Sequence, residues 1–275
     1  PRRRAPADIR HPPGADGRVT TLLIDGDGFA YQAAVVVEKA TDWGGGLWTL
    51  HADANEAIAA LDDMLASVKE KLGASSLVVA ITDQGANFRE SVWPGYKARR
   101  KKQRKPLVLP VLRQHLLDNY GARLRPNLEA DDVLGILATH PRIVPGEKII
   151  VSADKDFWTI PGKFYRTCAE NPEVVHVEEH EADYHFLKQA LTGDVTDEYP
   201  GCPGIGPKKA EAILGYPGDI LALGVDEAWK LVVHAYEKAG LTEDDALVQA
   251  RCARILRHTD YDFANKRPIL WTPPT

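Results

Sequence analysis

Three cysteines in 275 residues, Cys168, Cys202 and Cys252, are too few and too far apart for a disulfide framework. No C-x-x-C pair offers a thiolate zinc site, and a reducing cytoplasm is the expected compartment. No stretch approaches the ~20 apolar residues of a membrane-spanning helix. No basic start followed by an apolar core reads as a signal peptide, and no internal repeat is present. An excess of positive charge is missing too: 34 Lys and Arg stand against 39 Asp and Glu, a formal net charge of −5. That acidity makes one segment conspicuous. In YKARRKKQRK, seven cations fill the nine positions from Lys97 to Lys105. Such a run reads plainly as a solvated face, a disordered tail or a localisation signal; the sharper reading is a polyphosphate partner, and it needs support elsewhere. With 44% apolar and 27% charged residues, the chain is ordinary globular material with one sizeable core and room for a smaller unit.

Residues 1–18, rich in Pro, Arg and Gly without periodicity, read as a flexible basic tail. Beyond it, VTTLLID (19–25), SSLVVAITD (75–83) and EKIIVSADKD (147–156) are short apolar runs that end in acids. Each predicts a buried strand that delivers carboxylates at its C-terminal end. Helical patterns lie between them: DANEAIAALDDMLASVKEKLG, with Asp53 and Glu56 spaced as a capping box and Gly73 as a stop, and LEADDVLGILATH. Alternation of this kind predicts an α/β core over 19–180, a largely parallel sheet flanked by helices, with its ligands beyond the carboxyl ends of the strands. From 181 to 275 the patterns are helical, Thr242 and Asp245 are spaced as a capping box, and the ending ANKRPILWTPPT predicts an extended strap.

Nine acids in five clusters need explaining: Asp25; Asp83; Glu129, Asp131 and Asp132; Asp154 and Asp156; Asp194 and Asp197. Singly, an Asp is most often a cap or a turn residue. Gathered in one crevice they repel one another and raise each other's pKa, so a fold that collects them usually neutralises them with divalent cations. Mg²⁺ needs few direct carboxylates, and two such ions about 3.5–4 Å apart clamp the attacking and leaving oxygens of a phosphodiester. The basic run would then hold the polyanion that is cut. LLIDGDG also looks like the D-x-D strand end of haloacid-dehalogenase phosphatases, in which Asp25 would be the nucleophile and Asp27 the acid/base. That rival expects a hydrophobic strand before GDVTD, where FLKQALTGD reads as a helix end, and it leaves the cations unexplained. Asp27 itself reads as a strand-end cap in preference to a metal ligand. His176, His180 and His185 straddle a strand-to-helix junction and do not read as a zinc site.

PGCPGIGPKKA (200–210) places Gly204, Ile205 and Gly206 in a tight turn with Pro207 at a first helical position and Lys208 and Lys209 beside it. A bare G-x-G is usually an ordinary turn. Between two helices and next to lysines it predicts a helix-hairpin-helix clamp on a DNA backbone. The order DGDGFAYQA, ITDQGANFR, YKARR, EADD, SADKDF, GDVTDEYPGCPGIGPKKA then resembles that of the 5′-nucleases, or flap endonucleases, from Asp25 to Ala210. Asp27 and the closing ARILRHTDYDFANKRPILW look most like the exonucleases of small lytic podoviruses.

The resemblance implies a PIN-like core, a C-terminal helix-three-turn-helix unit and a basic arch at about 87–120 over the metal site. It also implies two Mg²⁺, with Mn²⁺ able to substitute: Asp25, Asp83, Glu129 and Asp131 match acids around the first, Asp154, Asp156 and Asp194 those around the second, and Asp132 and Asp197 match further acids of the cluster. Lys97 matches a lysine that stabilises the scissile phosphate, with Arg100 and Arg89 as supporting cations. Tyr96, Arg99, Lys101, Lys102, Arg104 and Lys105 fall in the arch, and the turn would take DNA and K⁺. Glu198 stands where much of the family has Asn, and Cys202 with Pro203 alters the lead-in to the turn. The expected activity is 5′ to 3′ exonuclease on duplex DNA, with flap cleavage and action on RNA–DNA hybrids, by a monomer serving phage replication and recombination beside a polymerase and a single-strand binding protein. A small-molecule phosphatase and a non-catalytic DNA-end-binding protein are the alternatives.

Overall fold

A computed structural model describes residues 19–274 of the chain; the expected basic tail over 1–18 lies outside them. In chain order the elements are β1 (Thr20–Asp25), α1 (Gly26–Val37), β2 (Lys39–Asp42), β3 (Trp48–His51), α2 (Ala54–Lys71), β4 (Ser76–Ala80), α3 (Phe88–Val92), α4 (Leu109–Tyr120) and α5 (Ala130–Thr139). They continue with β5 (Glu147–Ser152), β6 (Gly162–Arg166), β7 (Val174–Val177), α6 (Glu179–Thr192), α7 (Pro207–Leu214), α8 (Pro217–Leu223), α9 (Val225–Lys238), α10 (Glu243–Ala253), β8 (Tyr261–Asp262) and β9 (Arg267–Pro268).

The three acid-tipped apolar runs are β1, β4 and β5, side by side in a sheet of order β4-β1-β5-β6-β7 that is parallel except for β7. Both faces are covered, which is why the runs are apolar throughout and do not alternate with polar residues. The period-2 alternation of strand side chains divides them between two cores. Leu22 and Ile24 of β1 face α1, α2 and α4, while Leu23 faces α5 and the C-terminal segment. From β1 the chain crosses to β4 on one side, and β5 and β6 follow on the other. The order therefore reverses between β1 and β5, where a doubly wound sheet opens its ligand crevice.

Local signals act as the spacing predicts. Asp53 caps α2 through the Asn55 and Glu56 amides, although Glu56 does not reach back and pairs with Lys39 instead. Thr242 and Asp245 form the full capping box of α10. Helices α6–α10 share a separate core around Phe186, Tyr199, Trp229 and Tyr236, closed by the buried Trp271 of the strap. The segment expected as an arch is anchored at both ends, since α3 buries Arg89 and α4 buries Leu112 and Leu116. Its continuously exposed stretch is only 98–105.

One buried ion pair joins the two halves. Arg89 of α3 makes a two-pronged contact with Asp132 of α5 at 2.8 and 2.7 Å. The same guanidinium donates to the Cys252 and Arg254 carbonyls, and Asp132 accepts from the Leu256 and Glu129 amides. With Arg89 2% and Asp132 0% exposed, removing one partner strands the other's charge out of water. Arg89→Met is therefore expected to lower stability by about 3–5 kcal/mol, read as a lower urea midpoint. Arg89→Met combined with Asp132→Leu should recover part of the loss. Equal midpoints for Arg89→Met and the parent would show that the pair holds nothing.

Candidate active site

The crevice between β1 and β5 is lined with carboxylates because each strand, on leaving the sheet, turns on an Asp. Asp25 caps α1 through the Gly28 amide and accepts the Ser152 hydroxyl at 2.8 Å, which ties the ends of β1 and β5 together. Asp154 follows; its own amide donates to Ser152 and its carboxylate caps the short turn over 155–159 through the Asp156 amide. Asp25 and Asp131, the latter in the first turn of α5, both have raised pKa values: burial is the largest cause for each, the Asp154 charge adds to both, and the Asp25 charge raises Asp131 further. Asp156 is pushed up to about 6 by burial and then by Asp154, with Asp194 a smaller contributor. Asp194, just past the end of α6, receives the Thr196 and Asp197 amides and has Lys155 at 3.8 Å.

These acids influence one another without closing into a cage. Among the described residues, no three His, Cys, Asp or Glu side chains converge closely enough to hold an ion alone. A hard cation that keeps several waters asks for no such cage, and desolvated carboxylates that raise one another's pKa are what it would neutralise. Asp25, Asp131 and Asp156 fit that role, with the carboxylates of Asp154 and Asp194 beside them.

A second group sits opposite. Lys97 Nζ lies 2.6 Å from Glu129 and 3.3 Å from Asp197, and the buried Tyr96 hydroxyl lies between the same two acids, at 2.9 Å from Glu129 and 3.1 Å from Asp197, with its one hydrogen to give to either. Burial works against ionising Glu129, but the Lys97 and Arg89 charges outweigh it and its pKa falls. Burial raises the pKa of Asp197 and Lys97 pulls it back. Lys97 has φ +51°, in the left-handed region unfavourable for a side chain with a Cβ, and its amide donates to the Asp197 carbonyl. The turn is held from below by Glu198, whose carboxylate takes the amide and the Nε of Arg99 and whose carbonyl takes the Trp93 indole. Glu198 itself has φ +62°, a conformation that Asn tolerates better than Glu.

Several expectations need correction. Asp132 is no metal ligand, because both its oxygens are filled by Arg89 and backbone amides. Arg89 is buried in that pair, so it positions Glu129, 3.5 Å away, and does not reach a substrate. Tyr96 is a core residue with a site-facing hydroxyl, so its ring is not a DNA-contacting surface. Asp83 is engaged by the Gly85 and Asn127 amides at the margin of the cluster. Arg99, Lys101 and Arg104 are paired with Glu198, Glu90 and Glu38; Lys102 and Lys105 are exposed. In the turn before α7, Gly204 has φ +74° and space beyond it is open at Gly204 and Gly206. Ile205 packs on the helical core, and Lys209 is drawn back to the Gly204 carbonyl while Lys208 is exposed.

Asp27 caps the strand end through the Thr82 amide, and its other oxygen takes Arg113 of α4. Arg113 also donates to the Thr82 carbonyl, and the Thr82 hydroxyl receives the Ala130 amide. Thr82 thus ties α1, α4 and α5 to the end of β4. A fully engaged Asp27 is not free to serve as the acid/base of the phosphatase reading, and Asp194 follows a helix where that reading needs a strand. Ser152 and Arg113 carry no sequence signal of their own, because their roles come from partners distant in the chain, and Glu198 is marked in the sequence only as a departure from the family pattern.

Comparison with known proteins bears on the family and the fold. The 5′-3′ exonuclease N-terminal resolvase-like domain matches residues 20–185. The exodeoxyribonuclease of Enterobacteria phage T3 is 32% identical over 92% of this chain and 92% of its own, and the exonuclease of Escherichia phage T7 is 32% identical over 92% and 93%. A flap endonuclease Xni of Shewanella oneidensis is 35% identical over 46% of this chain and 52% of its own. Among solved structures, the bacteriophage T5 flap endonuclease in a pseudo-enzyme-product complex with DNA and metal ions has the same fold, with TM-score 0.58 at 16% identity over 85% of this chain and 90% of that one. With that domain spanning most of the sheet and relatives aligned from end to end, the chain belongs to the 5′-3′ exonuclease family and is a nuclease.

Proposed function

We propose that the protein is a divalent-metal-dependent 5′ to 3′ exonuclease of duplex DNA that also cuts 5′ flaps and RNA–DNA hybrids and leaves 5′-phosphates. The observation that carries this is the facing of two charge groups across one crevice: desolvated acids at the β1/β5 switch point, and Lys97 held over them on a strained turn. Asp25, Asp131 and Asp154 would hold one ion, and Asp156 and Asp194 with Asp154 a second. When bound, Mg²⁺ or Mn²⁺ supplies Lewis acidity towards the phosphate and towards water.

The chain's own residues bind, orient and balance charge. Glu129 and Asp197 keep Lys97 protonated and aimed into the crevice until a phosphate takes their place, and Lys97 then meets the charge that builds on the non-bridging oxygens. Arg100, about half exposed and only 3.5 Å from Asp197, is free to swing to the same phosphate. Arg99, Lys101 and Arg104 are exposed on their cationic side, so each can exchange its carboxylate for a DNA phosphate. With Lys102 and Lys105 they line the path of the 5′ strand. The open glycine turn, Lys208 and the start of α7 form a helix-hairpin-helix grip on the duplex backbone; a K⁺ there would compete with Lys209 for the Gly204 carbonyl. All these contacts are to phosphates, so sequence preference is weak. The same reading extends to work on primers and recombining ends, by a monomer beside a polymerase and a single-strand binding protein.

Two outcomes are expected on a 5′-labelled flap and a blunt duplex. Lys97→Ala should lower kcat by about 10²–10³-fold with DNA still bound, and Asp156→Asn should lose turnover while keeping affinity. Chelation should stop cleavage and added Mg²⁺ restore it. DNA that is bound but never cut by the parent in Mg²⁺ or Mn²⁺ would make this an end-binding protein instead.

A further inference from the structure

Three arginines stand apart from the rest. Among the described residues, the guanidinium groups of Arg123, Arg125 and Arg142 have neither an ion pair nor a hydrogen bond, whereas each other described arginine has at least one. They share one face. Arg123 lies on a segment fixed along the edge of β4, its amide on the Val79 carbonyl at 2.7 Å and its carbonyl taking the Ile81 amide. Arg125 is held over the rings of Tyr261 and Phe263, at 5.1 and 5.9 Å. Phe263 meets His140 at the end of α5 at 5.2 Å, and the Arg142 amide donates to that histidine.

The face gathers like charge without acids to balance it. Burial and the neighbouring Arg125 charge both work against the Arg123 cation, and His140 is disfavoured as a cation by burial, His258, Arg142 and Lys148. The acids of the adjoining strap are spent elsewhere, Asp260 on Arg254 and the Arg257 amide, Asp262 on Arg267 and Asn265. Among the described residues, an acidic protein that pairs its other arginines has left these three without a partner. The face also begins at the cleft, for Asn127, two residues after Arg125, holds Asp83, and Glu129 opens α5.

We propose that this face is a second phosphate-binding surface, taking the backbone of duplex DNA as it leaves the crevice alongside α5. The proposal rests on the nuclease reading. A guanidinium suits a phosphate because its planar fork matches two oxygens. The ten residues of α5 span about 15 Å, roughly four base-pair steps at 3.4 Å each. A single strand would need free aromatic faces for its bases; here the Tyr261 ring is buried and Arg125 already lies over both rings, so the contacts are to backbone.

The test is binding of the intact protein, with chelator present to prevent cutting, to a fluorescent 20-base-pair duplex and to a single strand of equal length, over a range of salt. Arg123→Gln/Arg125→Gln/Arg142→Gln should weaken duplex binding and flatten the log–log salt slope by about 2.7, roughly 0.9 per lost phosphate contact, with kcat at saturating duplex and the urea midpoint unchanged. Lys69→Gln/Lys230→Gln/Lys238→Gln removes equal charge elsewhere and should leave the slope alone. The proposal is overturned if the arginine variant keeps the parent slope, if the lysine control flattens it equally, or if only single-strand binding is lost. A parent that cuts DNA while the arginine variant binds like it defeats this proposal alone; a parent that neither binds nor cuts defeats the nuclease reading as well.

Discussion

Like charges gather only where something else holds their supports, and here the support begins with the buried pair of Arg89 and Asp132. Arg89 leaves α3, immediately before the strained turn that carries Lys97. Asp132 sits in the first turn of α5, which carries Glu129 and Asp131. By also taking the carbonyls and an amide of the 252–256 segment, the pair pins the helical unit to the sheet domain. The three pieces that make the crevice are thereby set against one another by a contact that never faces it. The cost of desolvating two charges is offset by hydrogen bonds to their remaining polar valences, and such a pair acts through the penalty for breaking it.

The acids are accordingly of two kinds. Asp132 and Asp27 are engaged by arginines and amides and shape the edge, and Asp83 accepts two amides at its margin. Asp25, Asp131 and Asp156 have no cation paired closely with them, and burial and neighbouring acids raise their pKa. Cations divide in the same way. The run from Lys97 to Lys105 is mostly paired to acids, whereas Arg123, Arg125 and Arg142 have no ion pair or side-chain hydrogen bond among the described residues. A net negative chain thus presents positive surface in two different ways. In one, weak ion pairs are exchanged for phosphate; in the other, the cations carry no partner among the described residues.

The likeness to the phage exonucleases concerns family and fold. The assignment of individual residues comes from this chain's own contacts. Glu198 illustrates the difference: a departure from the family pattern by sequence, it is the residue that ties the Lys97 turn to the helical unit, from a backbone conformation that suits Asn better.

Much was legible in the chain itself. Strands β1, β4 and β5 announce themselves because a strand buried on both faces must be apolar along its length. The acids after them are legible because ligands collect at the ends of such strands, and the caps at Asp53 and Thr242 because capping is local chemistry. The exposed β2–β3 hairpin, α8 and the antiparallel β7 carried no such pattern. What the sequence by itself determined was the layered α/β frame, the positions of the acids and the turn before α7, all read from periodicities and short spacings. Only the tertiary structure decided which acids face the cleft and which are consumed. Sequence separations of 43 from Arg89 to Asp132 and 86 from Asp27 to Arg113 divide partners that meet only once the core has closed, and no local pattern encodes who fills whose oxygens.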